Sequence, residues 1–278
     1  MIKHGCGQVK TFGEKMKISI ITITYNSEKT LKETISSIER QHDKELEYIV
    51  IDGGSTDQTV DIIKEHESII TKWISEPDDG ISDAFNKGIQ LASGEIIGII
   101  NSDDLLTDGA VENIKRLIKS ETEVIFGNAI IFGGSEPDYR YVPEKNLDML
   151  RRKMAVIHPA TFIRKSAYMK YGLYNTQYKC QMDRELMLRM YLGGAKFQYI
   201  DCDLAKVRLG GINQQTYLER TLPEGTSISI KYGLKPSTAK RIAFKESIRY
   251  RATNMIRKLP FSYIIRKIFH AKNSILLE

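Results

Sequence analysis

The sequence predicts an α/β fold in which helices cover both faces of a mostly parallel, Rossmann-like sheet, with a basic helical tail after it. From Lys17 onward, short β-branched runs alternate with amphipathic stretches, a pattern typical of repeated β-α-β units. Several strand-like runs end in polar residues, where open parallel sheets bind their ligands. Residues 237–278 hold ten Lys and Arg against two Glu. One principal domain with an appended part therefore accounts for the 278 residues.

The predicted elements follow one another regularly in the first half of the chain. Strands are predicted at 18–23, 48–51, 73–74, 96–100 and 124–126, and helices at 31–38, 81–91 and 111–118. After residue 130 the pattern is less regular, with a strand at 160–163, a helix at 184–192 and a strand at 197–200. We expect a disordered leader at 1–16, a domain at 17–213 that divides near residue 105, and a C-terminal extension at 214–278.

Composition argues against several classes of protein. No run approaches the roughly 20 apolar residues that cross a bilayer, and the first 15 residues lack the apolar core of a signal peptide. The three cysteines form no C-x-x-C pair of the zinc or redox type, which favours a reducing cytosol. The net charge of +6 arises in the tail, because the residues before 237 include 31 basic and 33 acidic side chains. We therefore expect no nucleic-acid partner.

A ligand site is predicted where three strands end, at 24–26, 52–54 and 101–104. The chain has neither a G-x-G-x-x-G turn nor a Walker loop, so a bound diphosphate would need a metal held by carboxylates. Asp103 and Asp104 offer hard oxygen ligands for Mg²⁺ or Mn²⁺, or alternatively they only cap the next helix. Asp52 can accept a hydrogen bond from a donor edge such as a uracil imide, or alternatively it is only a turn residue.

Four motifs in order resemble the nucleotide-binding half of family-2 glycosyltransferases, which have the GT-A fold, here of the bacterial polysaccharide or O-antigen type. They read I-T-I-T-Y-N at 21–26, Y-I-V-I-D-G-G-S-T-D at 48–57, S-E-P-D-D-G-I-S-D-A-F-N-K-G at 75–88, and A-S-G-E at 92–95 leading into N-S-D-D at 101–104. The resemblance covers roughly residues 17–213 and is strongest before 105. It implies that residues 17–105 bind the nucleotide and 106–213 the acceptor.

The resemblance also implies roles for single residues on the donor side. It places the nucleotide against Thr22, Tyr25 and Asn26. Asp52 would accept from the ring N–H of the base, Asp103 would reach the ribose and Asp104 would bind the metal. The acidic loop at 76–88 would fold over the donor sugar, with Asp79, Asp83 and Asn86 as the expected contacts, although a solvated acidic loop is the alternative.

On the acceptor side, transfer with inversion needs a general base distinct from the metal ligands. Asp183 is the candidate, because its segment resembles the acidic segment of the family, although Gln181 departs from the further acid that many relatives carry. Asp183 is alternatively only an N-cap, and Glu185 lies about 200° further round the helix. His158 is expected to contact the sugar or a phosphate, and Arg208 the diphosphate. The alternatives are a structural histidine and a surface salt bridge.

After Pro260, apolar residues recur at 261, 264, 265, 268 and 269, which predicts an amphipathic helix. With the basic residues before it, the tail would lie on an anionic leaflet and bring the enzyme to a lipid-linked acceptor. Alternatively the tail docks on the catalytic body or on a second subunit, as in a homodimer.

The resulting hypothesis is a cytoplasmic, peripherally membrane-bound enzyme of cell-surface polysaccharide synthesis. It would transfer a sugar with inversion from a UDP-sugar to a saccharide acceptor, using Mn²⁺ or Mg²⁺. The alternatives are a sugar-1-phosphate nucleotidyltransferase, whose glycine-rich first loop this sequence lacks, and a nucleotide-sugar-binding protein without turnover.

Overall fold

A single mixed sheet organises the computed structural model, which describes residues 16–134, 137–210, 216–257 and 274–276. Its strands are β1 (Ile18–Thr24), β2 (Leu46–Asp52), β3 (Lys72–Ser75), β4 (Ile96–Ile99), β5 (Leu105–Leu106), β6 (Val124–Phe132), β7 (Tyr139–Tyr141), β8 (Thr161–Arg164), β9 (Phe197–Arg208) and β10 (Ser274–Leu276). The helices are α1 (Leu31–Glu39), α2 (Thr59–Glu65), α3 (Ile81–Leu91), α4 (Ala110–Leu117), α5 (Lys165–Tyr171), α6 (Met182–Leu192), α7 (Leu222–Lys231) and α8 (Pro236–Arg257). Two 3-10 helices cover Leu147–Arg151 and His158–Ala160, and a π-helix covers Tyr217–Thr221.

The sheet order is β10-β7-β6-β8-β4-β1-β2-β3, and β9 pairs with both β6 and β5. The predicted parallel arrangement is confirmed for β4, β1, β2 and β3. The other half is mainly antiparallel, because β8 runs against both β4 and β6, and β7 returns from β6 through a connection too short for a parallel crossover. The carboxyl ends of the parallel strands thus meet at one edge.

Side chains of β1 alternate between two apolar cores, one on each face of the sheet. Ile21 packs with residues of α3 and α6, including Phe85 and Leu186. Ile18 and Ile20 belong to the opposite core, which is built with α1, α2 and α4. The predicted coverage of both faces by helices is therefore confirmed.

The first part of the predicted extension packs against α6. Buried Arg184 of α6 donates to Gly225 O (2.9 Å) and Ser229 Oγ (2.8 Å) of α7, and Ile228 lies fully buried in the core. Elements on either side of the division predicted at 213/214 are thus in contact, and the division itself stays a prediction. The leader residues 1–15 and the predicted helix at 261–269 lie outside the described residues. In the part of the chain that the structure describes, no helix is both long enough and apolar enough to span a bilayer.

Glu47 is a buried carboxylate at the edge of the sheet opposite the carboxyl ends of the parallel strands. It accepts hydrogen bonds from Ser19 Oγ (2.6 Å), Ser93 N (2.7 Å) and Lys72 Nζ (3.1 Å). Burial by itself raises the pKa of Glu47, but these hydrogen bonds outweigh it and lower the pKa to about 2. The charge therefore stabilises the fold far from the candidate site.

We expect Glu47→Ala to lower the free energy of unfolding at pH 7 by about 3–5 kcal/mol, because it leaves buried donors and a cation without their partner. The folded pKa lies below the ordinary value of 4.5, so the stabilisation is present above pH 4.5 and is lost as the pH falls towards 2. Urea denaturation at pH 7 and pH 3 measures both effects. Glu39→Ala, at an exposed position of α1, is the control, and an equal loss in both variants would contradict the prediction.

Candidate active site

Tyr25, Gly53 and Asp78 meet at the carboxyl ends of the parallel strands. Gly53 N donates to Thr24 O (2.9 Å), which joins the loops after β1 and β2. A Cβ on Gly53 would lie 2.7 Å from Asp78 Oδ2 and 3.5 Å from Tyr25 Cδ2, so glycine permits this close approach. The Tyr25 side chain is 62% exposed. It offers an aromatic surface on which a nucleotide base can stack, as its predicted role requires.

Asp52 is fully buried and organises the loop that follows β2. Its Oδ2 accepts from Gly54 N (3.2 Å), Ser55 N (3.0 Å) and Ser75 Oγ (2.7 Å), and its Oδ1 accepts from Ser55 Oγ. The predicted contact with the base would have to replace or share one of these hydrogen bonds, and it stays a prediction. The structure thus supports the turn role of Asp52.

Two other predicted nucleotide contacts shape the site from within the protein. Thr22 is fully buried, and its hydroxyl accepts from Tyr48 Oη (3.2 Å) inside the sheet, so its side chain faces a core and its contact with the nucleotide stays a prediction. The reason is that successive side chains of a strand point to opposite faces of the sheet, and Thr22 lies on the same face as the buried residues Ile18 and Ile20. Asn26 has a φ of 49°, and its Oδ1 accepts from Thr56 N (2.8 Å). Asn26 thereby ties the β1 loop to the loop after β2.

The predicted sugar loop is held both by contacts within it and by contacts with residues 174–179. Both polar atoms of the Asn86 side chain bond the main chain of Tyr174, each at 2.9 Å, so the predicted sugar contact of Asn86 would have to replace or share one of these bonds, and it stays a prediction. Asp83 Oδ2 accepts from Asp79 N (3.3 Å) and pairs with Lys87 (3.2 Å). Asp79 itself is exposed. Of the three predicted contacts, Asp79 therefore has the most accessible side chain.

Asp103, Asp104 and Arg208 come together although Asp104 and Arg208 are 104 residues apart in the chain. Antiparallel pairing of β5 with β9, with Leu105 opposite Lys206, places the end of β9 beside the aspartates. Arg208 N donates to Asp104 Oδ1 (3.0 Å), and Arg208 Nε donates to Asp103 O (3.2 Å).

Arg208 also forms the salt bridge that was the alternative to its diphosphate role. Its Nη2 lies 2.6 Å from Glu33 Oε2, and its guanidinium carbon lies 4.4 Å from the centroid of the Phe132 ring. The side chain is therefore held beside Asp103. A contact with a diphosphate would have to compete with Glu33.

The aspartate pair differs in accessibility. Asp104 is 3% exposed, and its Oδ2 accepts from Asn101 Nδ2 (3.0 Å), so both of its oxygens are engaged. Asp103 is partly exposed, and within residues 16–134 and the other described ranges no side chain donates to its carboxylate. Burial raises the pKa of Asp103. Burial and repulsion from Asp103 raise the pKa of Asp104 to about 7. A cation at this pair would relieve the unfavourable charge.

The chemistry of these donors fits a small divalent cation. No cluster of three or more His, Cys, Asp or Glu side chains suited to a metal occurs among the residues that the structure describes. Mg²⁺ is commonly held in proteins by one or two carboxylates, with substrate phosphates and water as its other ligands. Asp103 and Asp104 meet that requirement only together with a phosphorylated ligand.

Asp183 lies inside the first turn of α6, whose N-cap is Gln181, so the N-cap alternative for Asp183 is wrong. Its Oδ1 accepts from Arg184 N (2.6 Å). Burial raises the pKa of Asp183 to about 6, against the lowering effect of Arg184. Glu185 points elsewhere, being buried and paired with Arg189 (3.0 Å). A carboxylate with this pKa is suited to accept a proton near neutral pH.

Aromatic side chains surround His158, which favours the structural alternative. Its Nε2 lies 2.7 Å from Tyr174 Oη, and its ring centroid lies 5.1 Å from that of Phe85. Burial lowers the pKa of His158 to about 4, so the ring is neutral at pH 7 and supplies no cation to a phosphate. The predicted phosphate contact of His158 is therefore not supported.

Sequence reasoning missed the residues that hold this site in place. Buried Arg184 gave no signal, because an arginine in an amphipathic helix is usually exposed. Tyr174 gave none either, since its partners Asn86 and His158 are far from it in the chain. For Asp78 the signal was present in the acidic loop motif.

Comparison with known proteins places this geometry in a family. The model of glycosyl transferase family 2 matches residues 19–180. An uncharacterised glycosyltransferase of Mycobacterium tuberculosis is 32% identical over 184 residues, which are 63% of this chain and 69% of that protein. A PGL/p-HBAD biosynthesis glycosyltransferase of Mycobacterium bovis is 25% identical over 224 residues, 78% of this chain and 86% of that protein.

Solved structures share the fold at low sequence identity. TarS 1–349 of S. aureus in complex with UDP-GlcNAc has a TM-score of 0.61 at 18% identity, covering 88% of this chain and 77% of that one. The chain spans 42% of the longer TarS structure. The mannosyltransferase PcManGT of Pyrobaculum calidifontis, in complex with GDP-Man and Mn²⁺, has a TM-score of 0.62 at 17% identity, covering 95% and 77%. The fold is thus GT-A, and because the family match spans more than half of its length, the chain belongs to glycosyl transferase family 2.

Proposed function

We propose that this glycosyltransferase moves a sugar from a nucleoside diphosphate donor, a UDP-sugar, to a saccharide acceptor with inversion. The observation that carries the proposal is the pair Asp103 and Asp104 beside Arg208, at the sheet edge where Tyr25 is exposed. Relatives of the same fold were solved with UDP-GlcNAc and with GDP-Man and Mn²⁺, which supports a nucleotide-sugar donor and a divalent cation here.

The two aspartates have separate tasks in this proposal. The resemblance to the family assigned the metal to Asp104, but both oxygens of Asp104 already accept hydrogen bonds from the protein. We therefore assign direct metal binding to Asp103 and the positioning of the β5–β9 junction to Asp104. When bound, Mn²⁺ or Mg²⁺ supplies positive charge to the departing diphosphate. The guanidinium of Arg208 lies next to Asp103, where it adds a second positive charge.

Asp183 carries out the proton transfer on the acceptor side. Its carboxylate accepts the proton of an acceptor hydroxyl as that oxygen bonds to the anomeric carbon, while the bond from this carbon to the diphosphate breaks. A single in-line displacement of this kind inverts the anomeric configuration. Asp183 belongs to α6 and not to the aspartate pair, so a metal bound at Asp103 and Asp104 would not suppress the basicity of the Asp183 carboxylate.

Metal dependence tests the proposal. We expect release of UDP from a panel of UDP-glucose, UDP-galactose and UDP-GlcNAc to need Mn²⁺ or Mg²⁺ for at least one donor. Asp103→Asn should lower that rate by about 10²–10³-fold, because charge stabilisation of the leaving group is lost. Asp108→Asn, an exposed carboxylate nearby, is the control. Undiminished turnover in EDTA, or by Asp103→Asn, would reject the proposed chemistry.

The acceptor is proposed to be lipid-linked, with α8 resting on the membrane. Phe244, Ile248 and Met255 are 66%, 52% and 69% exposed, and their spacing places them within about 40° on one face of α8. Lys240 and Arg241 are exposed beside them. An apolar stripe flanked by cations matches an anionic leaflet in both hydrophobicity and charge.

We expect Phe244→Ser with Ile248→Ser to weaken binding to phosphatidylglycerol vesicles by at least about tenfold, because two apolar side chains no longer enter the interface. Vesicle pelleting measures the effect. Met169→Ser is the matched control, since Met169 is 79% exposed on α5. Equal binding by all three proteins removes the membrane contact. A wild-type dimer that becomes monomeric in the double variant would assign the stripe to a second copy.

A further inference from the structure

A cleft of about 500 Å³ lies between α8 and the catalytic body. Its walls come from the residues around the 3-10 helix Leu147–Arg151, from the π-helix Tyr217–Thr221, and from α6, α7 and α8. Gln181 and Arg184 lie in its wall and flank Asp183 in the chain. The volume is in the range of small-molecule sites, and the cleft adjoins the helix turn that carries the candidate base.

Four exposed cations line this cleft. They are Arg152 and Lys153, after the 3-10 helix, and Lys245 and Arg249 of α8. Lys153 pairs with Glu144 (3.0 Å), whereas among the residues that the structure describes Arg152, Lys245 and Arg249 form no ion pair within 4.0 Å. Glu246 is the acidic residue in the lining. The cleft therefore presents more positive than negative charge, with donors that are free to bind an anion.

The cations and the apolar stripe lie on different sides of α8. At 100° per residue, Lys245 and Arg249 are roughly 80–120° away from the middle of the Phe244, Ile248 and Met255 stripe. Ile242 and Glu246, which also line the cleft, lie farther round on the side opposite the stripe. The helix thus turns one side towards the cleft and another side outward.

The π-helix gives the cleft a second unusual feature. Segments of π-helix are rare and occur frequently at functional sites. Here the ring of Tyr217 stacks on that of Tyr250 of α8, with the centroids 4.5 Å apart and the planes 21° apart. This contact fixes the π-helix against α8 and holds the wall of the cleft next to Arg249.

We propose that this cleft binds a phosphoryl or diphosphate group carried by the acceptor, through Arg152, Lys245 and Arg249. Guanidinium and ammonium groups are the side chains that bind phosphate oxygens most strongly. The inference rests on the proposed function, because it gives a chemical class to the acceptor of that reaction. The lining residues Gln181 and Arg184 place a phosphate bound there beside the turn of α6 that carries Asp183.

Titration calorimetry with the full-length protein tests this inference. Inorganic pyrophosphate and farnesyl diphosphate serve as probes in EDTA, so that no metal complex forms at the aspartate pair. We expect Lys245→Gln and Arg249→Gln each to weaken binding by about tenfold, the effect of losing one charge-assisted hydrogen bond. Arg251→Gln is the matched control, since Arg251 is exposed on the outward side of the same helix. Tighter binding of farnesyl diphosphate assigns a lipid diphosphate, and equal binding assigns a phosphate-bearing glycan.

The outcomes separate this inference from the proposed function. Binding that is unchanged in both cleft variants, or that falls equally in Arg251→Gln, overturns the inference. Binding that falls in Asp103→Asn but not in the cleft variants belongs to the donor site and also overturns it. Metal-dependent UDP release is measured in parallel. If it fails in the wild type, the proposed function is wrong, whereas intact release without pyrophosphate binding rejects only the cleft.

Discussion

Replacement of Asp183 by asparagine is expected to reduce sugar transfer by about 10²–10⁴-fold, the usual contribution of a general base. The amide keeps the shape of the side chain and can still accept the hydrogen bond from Arg184 N, so the fold and donor binding should be unchanged. Transfer is measured with the donor found in the UDP-sugar panel, and donor binding by calorimetry. Asp61→Asn, an exposed carboxylate on α2, is the control.

The pH dependence of the wild type provides a second measurement on Asp183. Its pKa is raised to about 6 by burial, so the carboxylate is protonated and inactive as a base below that pH. We therefore expect kcat/KM to rise with pH through about 6 and then to level off. The residual rate of Asp183→Asn should lack this rise. An unshifted rise in the variant, or an undiminished rate, would assign the base to another group.

Replacement of the neighbouring Arg184 should act on stability. We expect Arg184→Met to lower the free energy of unfolding by about 3–5 kcal/mol, because it leaves Leu150 O, Gly225 O and Ser229 Oγ without their buried donor. Methionine has a similar length, so the loss comes mainly from hydrogen bonding and charge. Urea denaturation followed by circular dichroism measures it.

Two further variants make the Arg184 result interpretable. Arg116→Met, at an exposed position of α4, should change the free energy of unfolding by less than about 0.5 kcal/mol, as surface substitutions usually do. Arg184→Lys retains the charge but not the three-way geometry, and we expect an intermediate loss. A loss below about 1 kcal/mol for Arg184→Met would show that α7 is not held by this residue. At these adjacent positions we thus expect Asp183→Asn to reduce sugar transfer without a loss of stability, and Arg184→Met to reduce stability.

The elements around the nucleotide could be predicted because their signals are local. Strands 18–23, 48–51 and 96–100 are short runs rich in β-branched residues and bounded by polar turns, a local pattern that favours buried strands. Asp103 and Asp104 follow one of these runs, so their position at the carboxyl edge of the sheet also follows from local pattern. The resemblance to family 2 rests on the same segments.

Thr22 and Asn86 show what local pattern leaves undecided. Both belong to motifs of the predicted site, yet the hydroxyl of Thr22 bonds Tyr48 and the amide of Asn86 bonds Tyr174, 88 residues away. A motif states which residues occur together, but not which face of a strand or helix each side chain occupies. In this structure the two side chains bond other parts of the protein, and their spacing in the sequence does not reveal these partners.

The sequence by itself determined the α/β class, the positions of the parallel strands along the chain and the acidic loops at their ends. Each of these depends on neighbours within a few residues. Only the tertiary structure decided that Arg208 lies against Asp104, that Arg184 is buried between α6 and α7, and that Asp183 has a raised pKa. These properties depend on contacts between distant segments and on exclusion of water. Burial and distant partners arise when the whole chain packs, and no short stretch of sequence encodes them.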